Sequence, residues 1–89
     1  MAKITLYTTD ACSSCRRAKA FLDQRGLPFD EINLSRDPDG RVELAERTGL
    51  MTFPQILVGD VTLGGFEALA AAEADGRLRE LLAGPIASG

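Results

Sequence analysis

The chain has 89 residues, 45% of them hydrophobic, with a net charge of −3 and two cysteines. That is one domain of ordinary globular composition, with no apolar run near the roughly 18 residues that span a bilayer. The acidic balance argues against a nucleic-acid or polyanion binder. With two cysteines and no histidine, one chain cannot supply the four sulfur or nitrogen ligands of a structural zinc site.

Lys3-Ile4-Thr5-Leu6-Tyr7 alternates at period two and predicts a strand, followed by a polar loop from Thr8 to Ala11. Next comes Cys12-Ser13-Ser14-Cys15, the only cysteine pair. Beyond it Ala18, Phe21 and Leu22 recur at helical spacing until Gly26 and Pro28 stop the helix. A cysteine at the start of a helix lies beside unpaired N–H groups and the positive end of the dipole. Such thiols ionise well below the free-cysteine range near about 8.5, so Cys12 is expected to be a standing nucleophile. Ser13 and Ser14 are placed to cap this helix or to donate hydrogen bonds to the thiolate, with capping preferred.

Charge is distributed unevenly. Up to Arg25 the chain carries Lys3, Arg16, Arg17, Lys19 and Arg25 against Asp10 and Asp23. Arg16 and Arg17 are therefore candidates for stabilising a thiolate and attracting an anionic thiol.

Phe29 to Leu34 predicts a second strand, and Asp37-Pro38 a helix start, with aspartate as N-cap and proline in the first turn. Val42, Leu44, Ala45 and Thr48 supply the apolar positions of that helix, which ends at Gly49. Ile56-Leu57-Val58 and Val61-Thr62-Leu63 flank Gly59-Asp60 as a hairpin. Gly64-Gly65 breaks the pattern before a helix from Phe66, with Gly76 separating a last turn or two around Leu78, Leu81 and Leu82. One domain is expected over residues 1–84, with 85–89 a frayed tail. The order β-α-β-α-β-β-α implies an α/β fold, a central four-stranded mixed sheet flanked by helices on both faces. The start Met-Ala-Lys-Ile-Thr lacks the apolar core of a signal peptide. A cytoplasmic protein is expected, where a lone C-x-x-C serves catalysis more often than structure.

Taken in order, Cys12 to Cys15 with Arg17-Ala18-Lys19, then Thr52-Phe53-Pro54-Gln55-Ile56, the hairpin, and Leu63-Gly64-Gly65-Phe66 resemble the glutaredoxins, glutathione-linked members of the thioredoxin-fold superfamily. The likeness runs from Ile4 to Leu82. It implies a thioredoxin-like fold and a glutathione-dependent thiol–disulfide oxidoreductase that reduces protein disulfides and glutathione mixed disulfides, with Cys12 and Cys15 catalytic. It also implies a cis peptide before Pro54 and a glutathione site formed by Phe53, Pro54, Gln55, Gly65, Phe66 and Glu67. The backbone of Phe53 would pair with the cysteinyl part of glutathione, Gln55 would reach its glycyl carboxylate, and the helix start at Phe66-Glu67 would hold its γ-glutamyl carboxylate. Ser14 and Arg16 would stabilise the thiolate. Expected partners are glutathione and disulfide-bonded or glutathionylated proteins, with no nucleic acid or membrane and a monomeric state.

The chain departs from the family pattern at Cys-Ser-Ser-Cys, where Cys-Pro-Tyr-Cys is common, and at Glu67-Ala68, where an acidic residue often stands second. Two alternatives follow from the resemblance: a dithiol donor reduced by thioredoxin reductase, and a dimer bridged by a [2Fe–2S] cluster on Cys12 of each chain with two glutathiones.

Overall fold

A computed structural model describes residues 3–83. The expected domain limit at 84 and the tail at 85–89 lie outside the described residues.

Strand β1, Ile4–Thr8, buries alternate residues, with Ile4, Leu6 and Thr8 each at most 1% exposed. Helix α1, Ser13–Gln24, buries Cys15, Ala18 and Leu22, the spacing of one helical face. It ends near Gly26, whose φ of 67° suits a residue without a Cβ. The chain returns as β2, Phe29–Asn33, parallel to β1 with Ile4 opposite Phe29.

Helix α2, Pro38–Thr48, starts and stops as its sequence predicts. The Asp37 side chain accepts from the Gly40 N–H at 2.9 Å, and Gly49 closes the helix in the left-handed conformation. Of the apolar positions in α2, Leu44 is buried, whereas Val42 is 58% exposed.

Strands β3, Gln55–Val58, and β4, Val61–Gly64, form the hairpin around Gly59 and Asp60. A register shift falls between Ile56 and Leu57, and β3 runs antiparallel to β1. The sheet order is β2-β1-β3-β4. Helix α3, Phe66–Ala74, follows, and Gly76 at φ 84° turns the chain into α4, Arg77–Ala83. The last helical region is thus two helices rather than one.

All four residues of β3 are buried, as a strand covered on both faces requires. On one face Ile56 and Val58 join Ile4, Leu6, Ala18, Leu22, Leu69, Ala72 and Leu78 in a single cluster built with α1, α3 and α4. Each of the isoleucine, leucine and valine side chains among them contributes about 1.5–3 kcal/mol of apolar burial. The alternate residues Gln55 and Leu57 point to the other face, where α2 lies and Thr48 bonds to Gln55. Because β1, β3 and α1 are fixed by this core, the β1–α1 loop and the segment before β3 meet at the same end of the sheet.

Candidate active site

The loop from Thr9 to Ala11 is tied to the end of β2. The Asp10 N–H donates to Ser35 Oγ at 2.6 Å, Asn33 Nδ2 donates to Asp10 Oδ1 at 3.0 Å, and the Ser35 N–H donates to Asn33 Oδ1 at 2.9 Å. Ala11 takes a left-handed φ of 54°, a conformation with a steric cost for any residue carrying a Cβ. This turn delivers Cys12 to the helix start.

Cys12 itself is the N-cap of α1, in extended conformation, and its Sγ accepts from the Cys15 N–H at 3.1 Å. This corrects the capping expectation for Ser13 and Ser14. Both serines are already inside the helix, and a side chain caps from the residue before the first helical one. Cys12 and Cys15 are disulfide-bonded, with Cα atoms 5.2 Å apart. Their environments differ: Cys15 is 2% exposed, while Cys12 is half-buried. Only the Cys12 sulfur is open to an incoming partner.

Across from it, the Phe53–Pro54 peptide is cis, and the Phe53 carbonyl oxygen lies 3.8 Å from Cys12 Sγ. Next to this segment α3 begins at Phe66 after Gly65, an N-cap with no side-chain hydrogen bond. The first N–H groups of α3 therefore face the site without a capping side chain, at the positive end of the helix.

A groove of about 420 Å³ runs between these elements. It gathers Ser14, Phe53, Pro54, Gly65, Phe66 and Glu67 of the expected residues, and adds Arg17, Thr52 and Ala68. Arg17 is held over the Phe66 ring, 4.6 Å from its centroid. Phe66 in turn meets Phe21 edge to face at 5.7 Å. Ser14, Arg17 and Phe21 are spaced three and four apart in the sequence, which puts them on one helix face. That spacing was the available signal for the role of Arg17.

Two expected residues are not among those lining this groove. Arg16 is exposed and does not line the groove. Gln55 is 1% exposed, its Oε1 accepting from Thr48 Oγ1 at 2.8 Å and its Nε2 donating to the Leu50 carbonyl at 3.0 Å. Strand alternation turns Gln55 toward α2 and away from the cysteines, so its amide is an internal brace and is not available to a substrate carboxylate.

The positive charge seen near the cysteines is also redistributed. Lys3 pairs with Asp30, Lys19 with Glu31 and Arg25 with Glu73, at 3.0, 3.3 and 3.2 Å. Arg16 and Arg17 have no salt bridge among the described residues, and of the two only Arg17 faces the groove. Among the described residues no group of three or more His, Cys, Asp or Glu side chains could hold a metal ion. No described helix is long and apolar enough to cross a membrane.

The family model for glutaredoxin matches residues 4–63. A glutaredoxin of Pseudomonas aeruginosa is 42% identical over 82 residues, which cover 92% of this chain and 98% of that relative. Glutaredoxin 3 of Escherichia coli is 38% identical, covering 92% and 99%. Among solved structures, the glutaredoxin of Brucella melitensis is 45% identical with a TM-score of 0.78, covering 92% of this chain and 89% of that one. A buckwheat glutaredoxin–glutathione complex is 27% identical with a TM-score of 0.81, covering 92% and 77%.

Proposed function

The chain belongs to the glutaredoxin family, with its thioredoxin-like fold and thiol–disulfide oxidoreductase chemistry, and from that membership we propose that it reduces glutathione mixed disulfides and protein disulfides at the expense of glutathione. The observation that carries this reading is the unequal pair: a half-buried Cys12, its sulfur 3.8 Å from the carbonyl oxygen of the groove-lining Phe53, and a buried Cys15.

In the first step the Cys12 thiolate attacks the glutathionyl sulfur of a mixed disulfide. The substrate thiolate leaves and takes a proton from solvent, and Cys12 carries glutathione as a disulfide. The thiolate of a second glutathione attacks the glutathionyl sulfur, giving oxidised glutathione and restoring the Cys12 thiolate. With a protein disulfide, Cys12 first forms a mixed disulfide with the protein. The Cys15 thiol, giving up its proton, then attacks the Cys12 sulfur, expels the protein thiolate and closes the Cys12–Cys15 bond. Two glutathiones reduce that bond and leave as oxidised glutathione.

Three groups bind glutathione in this reading. The Phe53 backbone, beside Cys12 Sγ, pairs with the cysteinyl residue. The uncapped N-terminus of α3 receives the γ-glutamyl carboxylate. Arg17, stacked on Phe66, supplies the positive charge that an anionic tripeptide calls for. The structural neighbour from buckwheat was solved as a glutathione complex, which supports the assignment by analogy. The protein would work as a monomer in the cytoplasm, where glutathione is reduced. The Cys12–Cys15 bond favours this reading over cluster bridging, which leaves Cys15 without a task.

The test is glutathione-coupled turnover of the mixed disulfide of glutathione and cysteine. Wild type and Cys15→Ser are expected to turn it over and Cys12→Ser to be inactive; a protein disulfide should require both cysteines. If oxidised wild-type protein were reduced by thioredoxin reductase and not by glutathione, the reading would fail in favour of a dithiol donor.

A further inference from the structure

A second, larger groove begins where the first one ends. It measures about 550 Å³ and lies between α2 and the segment leading to β3, with walls of Pro38, Val42, Ala45, Leu50, Met51 and Phe53. Phe53 lines both grooves. Its carbonyl oxygen is 3.8 Å from the Cys12 sulfur, so a chain attached at that sulfur has two directions open to it. One is the polar groove toward Arg17, Glu67 and the start of α3. The other is apolar.

The apolar direction is built from side chains that a solvated surface does not call for. Val42 is 58% exposed and Met51 84%. Val42 is one of the few apolar positions of α2, yet it packs beside the groove instead of in the core. Folding alone would be served as well by polar residues at both positions. Glu46 is the exposed carboxylate at the rim, and two polar side chains of the lining are already engaged. Arg41 donates to the Leu34 and Ser35 carbonyls, and Gln55 is held by Thr48 and Leu50. What remains for a ligand is an apolar trough with a flexible methionine at its edge, a surface that adapts to varied side chains.

We propose that this groove docks the polypeptide flanking the reactive cysteine of a protein substrate, selecting extended segments with apolar side chains next to that cysteine. The proposal rests on the function proposed above and adds a division of labour to it. The polar groove takes glutathione, and the apolar one takes the protein. Continuity through Phe53 is what assigns the occupant, because the residue that lines this trough is the one whose carbonyl oxygen lies 3.8 Å from the Cys12 sulfur. The same exchange chemistry operates in both cases, and the groove adds binding without a new bond.

The experiment compares three substrates: the mixed disulfide of glutathione and cysteine, and two S-glutathionylated nonapeptides that differ only in having leucines or aspartates on either side of the cysteine. Wild type is expected to favour the leucine peptide by about tenfold in kcat/KM, or about 1.4 kcal/mol, through KM. Val42→Asp and Met51→Asp, both at exposed positions and outside the catalytic machinery, are each expected to bring that ratio close to one. Turnover of the small disulfide should stay within about twofold of wild type, which also shows that the variants fold.

No preference in wild type, or a preference that survives both substitutions, would overturn the proposal. So would a parallel loss of small-disulfide turnover, since the groove would then serve the cysteine itself. A wild-type dimer on size-exclusion chromatography that Val42→Asp dissociates would assign the face to a second copy of the chain instead. Failure of wild type to turn over the small disulfide at all would overturn the proposed function, and is distinguishable from every other outcome.

Discussion

The backbone N–H of Cys15 points at the sulfur of Cys12 across 3.1 Å, so the sulfur that caps α1 is the one to which the proposed exchange is assigned. An N-cap accepts hydrogen bonds from the first turn, and an anion there also meets the positive end of the helix. Both effects favour thiolate over thiol. In the reduced protein, the rate of Cys12 alkylation against pH is expected to have its midpoint below that of a free cysteine, because the helix start favours the thiolate. A midpoint near about 8.5, as for a free cysteine, would contradict this. Cys15, at 2% exposed, is expected to alkylate far more slowly.

Arg17 and Arg16 are adjacent in sequence and unequal in placement. Arg17 lines the groove on the Phe66 ring, an arrangement worth about 0.5–1 kcal/mol in itself, while Arg16 is exposed outside it. Arg17→Ala is expected to raise KM for glutathione by about three- to tenfold with little change in kcat, an effect that shrinks as salt screens the charge. Arg16→Ala is expected to change KM by less than about twofold. Steady-state kinetics at two ionic strengths compare the pair, and equal effects would show that only net charge matters.

Much of this arrangement was legible from residue order, because each element carries its own punctuation. Asp37-Pro38 and Gly49 bound α2 by chemistry that acts within a few residues, and Gly59-Asp60 sets the hairpin in the same way. The cysteines, Pro54 and Gly65 could be joined into one site only through a family resemblance, since the contact between them is made by the sheet. The surroundings of Gln55 and of Val42 were not legible, for one common reason. Strand alternation says that Gln55 faces opposite to Ile56, but not which face carries the cysteines. Helical spacing places Val42 one turn from Glu46 and not whether anything covers it. The serines failed differently: which residue is the N-cap depends on backbone dihedrals, and Cys12 holds the extended conformation.

The bracing role of Gln55 separates stability from catalysis. Gln55→Ala removes the donor to the Leu50 carbonyl and leaves that oxygen unpaired, while the Thr48 hydroxyl still has the Leu44 carbonyl to donate to at 3.0 Å. An orphaned polar group of this kind costs about 1–3 kcal/mol, so urea unfolding is expected to register a drop of about that size. Turnover well below the unfolding temperature should fall by less than about threefold, because the side chain faces α2 rather than the cysteines. A catalytic defect without a stability defect would restore Gln55 to the substrate site.

Gly64 and Gly65 look interchangeable in sequence and are opposites in structure. Gly64 has φ +124°, and a Cβ there would come 3.2 Å from the Ala68 methyl. Gly64→Ala is therefore expected to destabilise by about 1–2 kcal/mol. Gly65, at φ −91° and ψ −162°, has backbone angles open to any residue, and its Cβ would sit in ordinary contact 3.7 Å from the Pro54 carbonyl oxygen. Gly65→Ser should fold, and should gain a few tenths of a kcal/mol by capping α3. The hydroxyl would then occupy the N–H groups assigned to the γ-glutamyl carboxylate, so KM for glutathione is expected to rise by about threefold or more as stability rises. If serine at 65 left KM unchanged, the carboxylate would have to bind somewhere other than the start of α3.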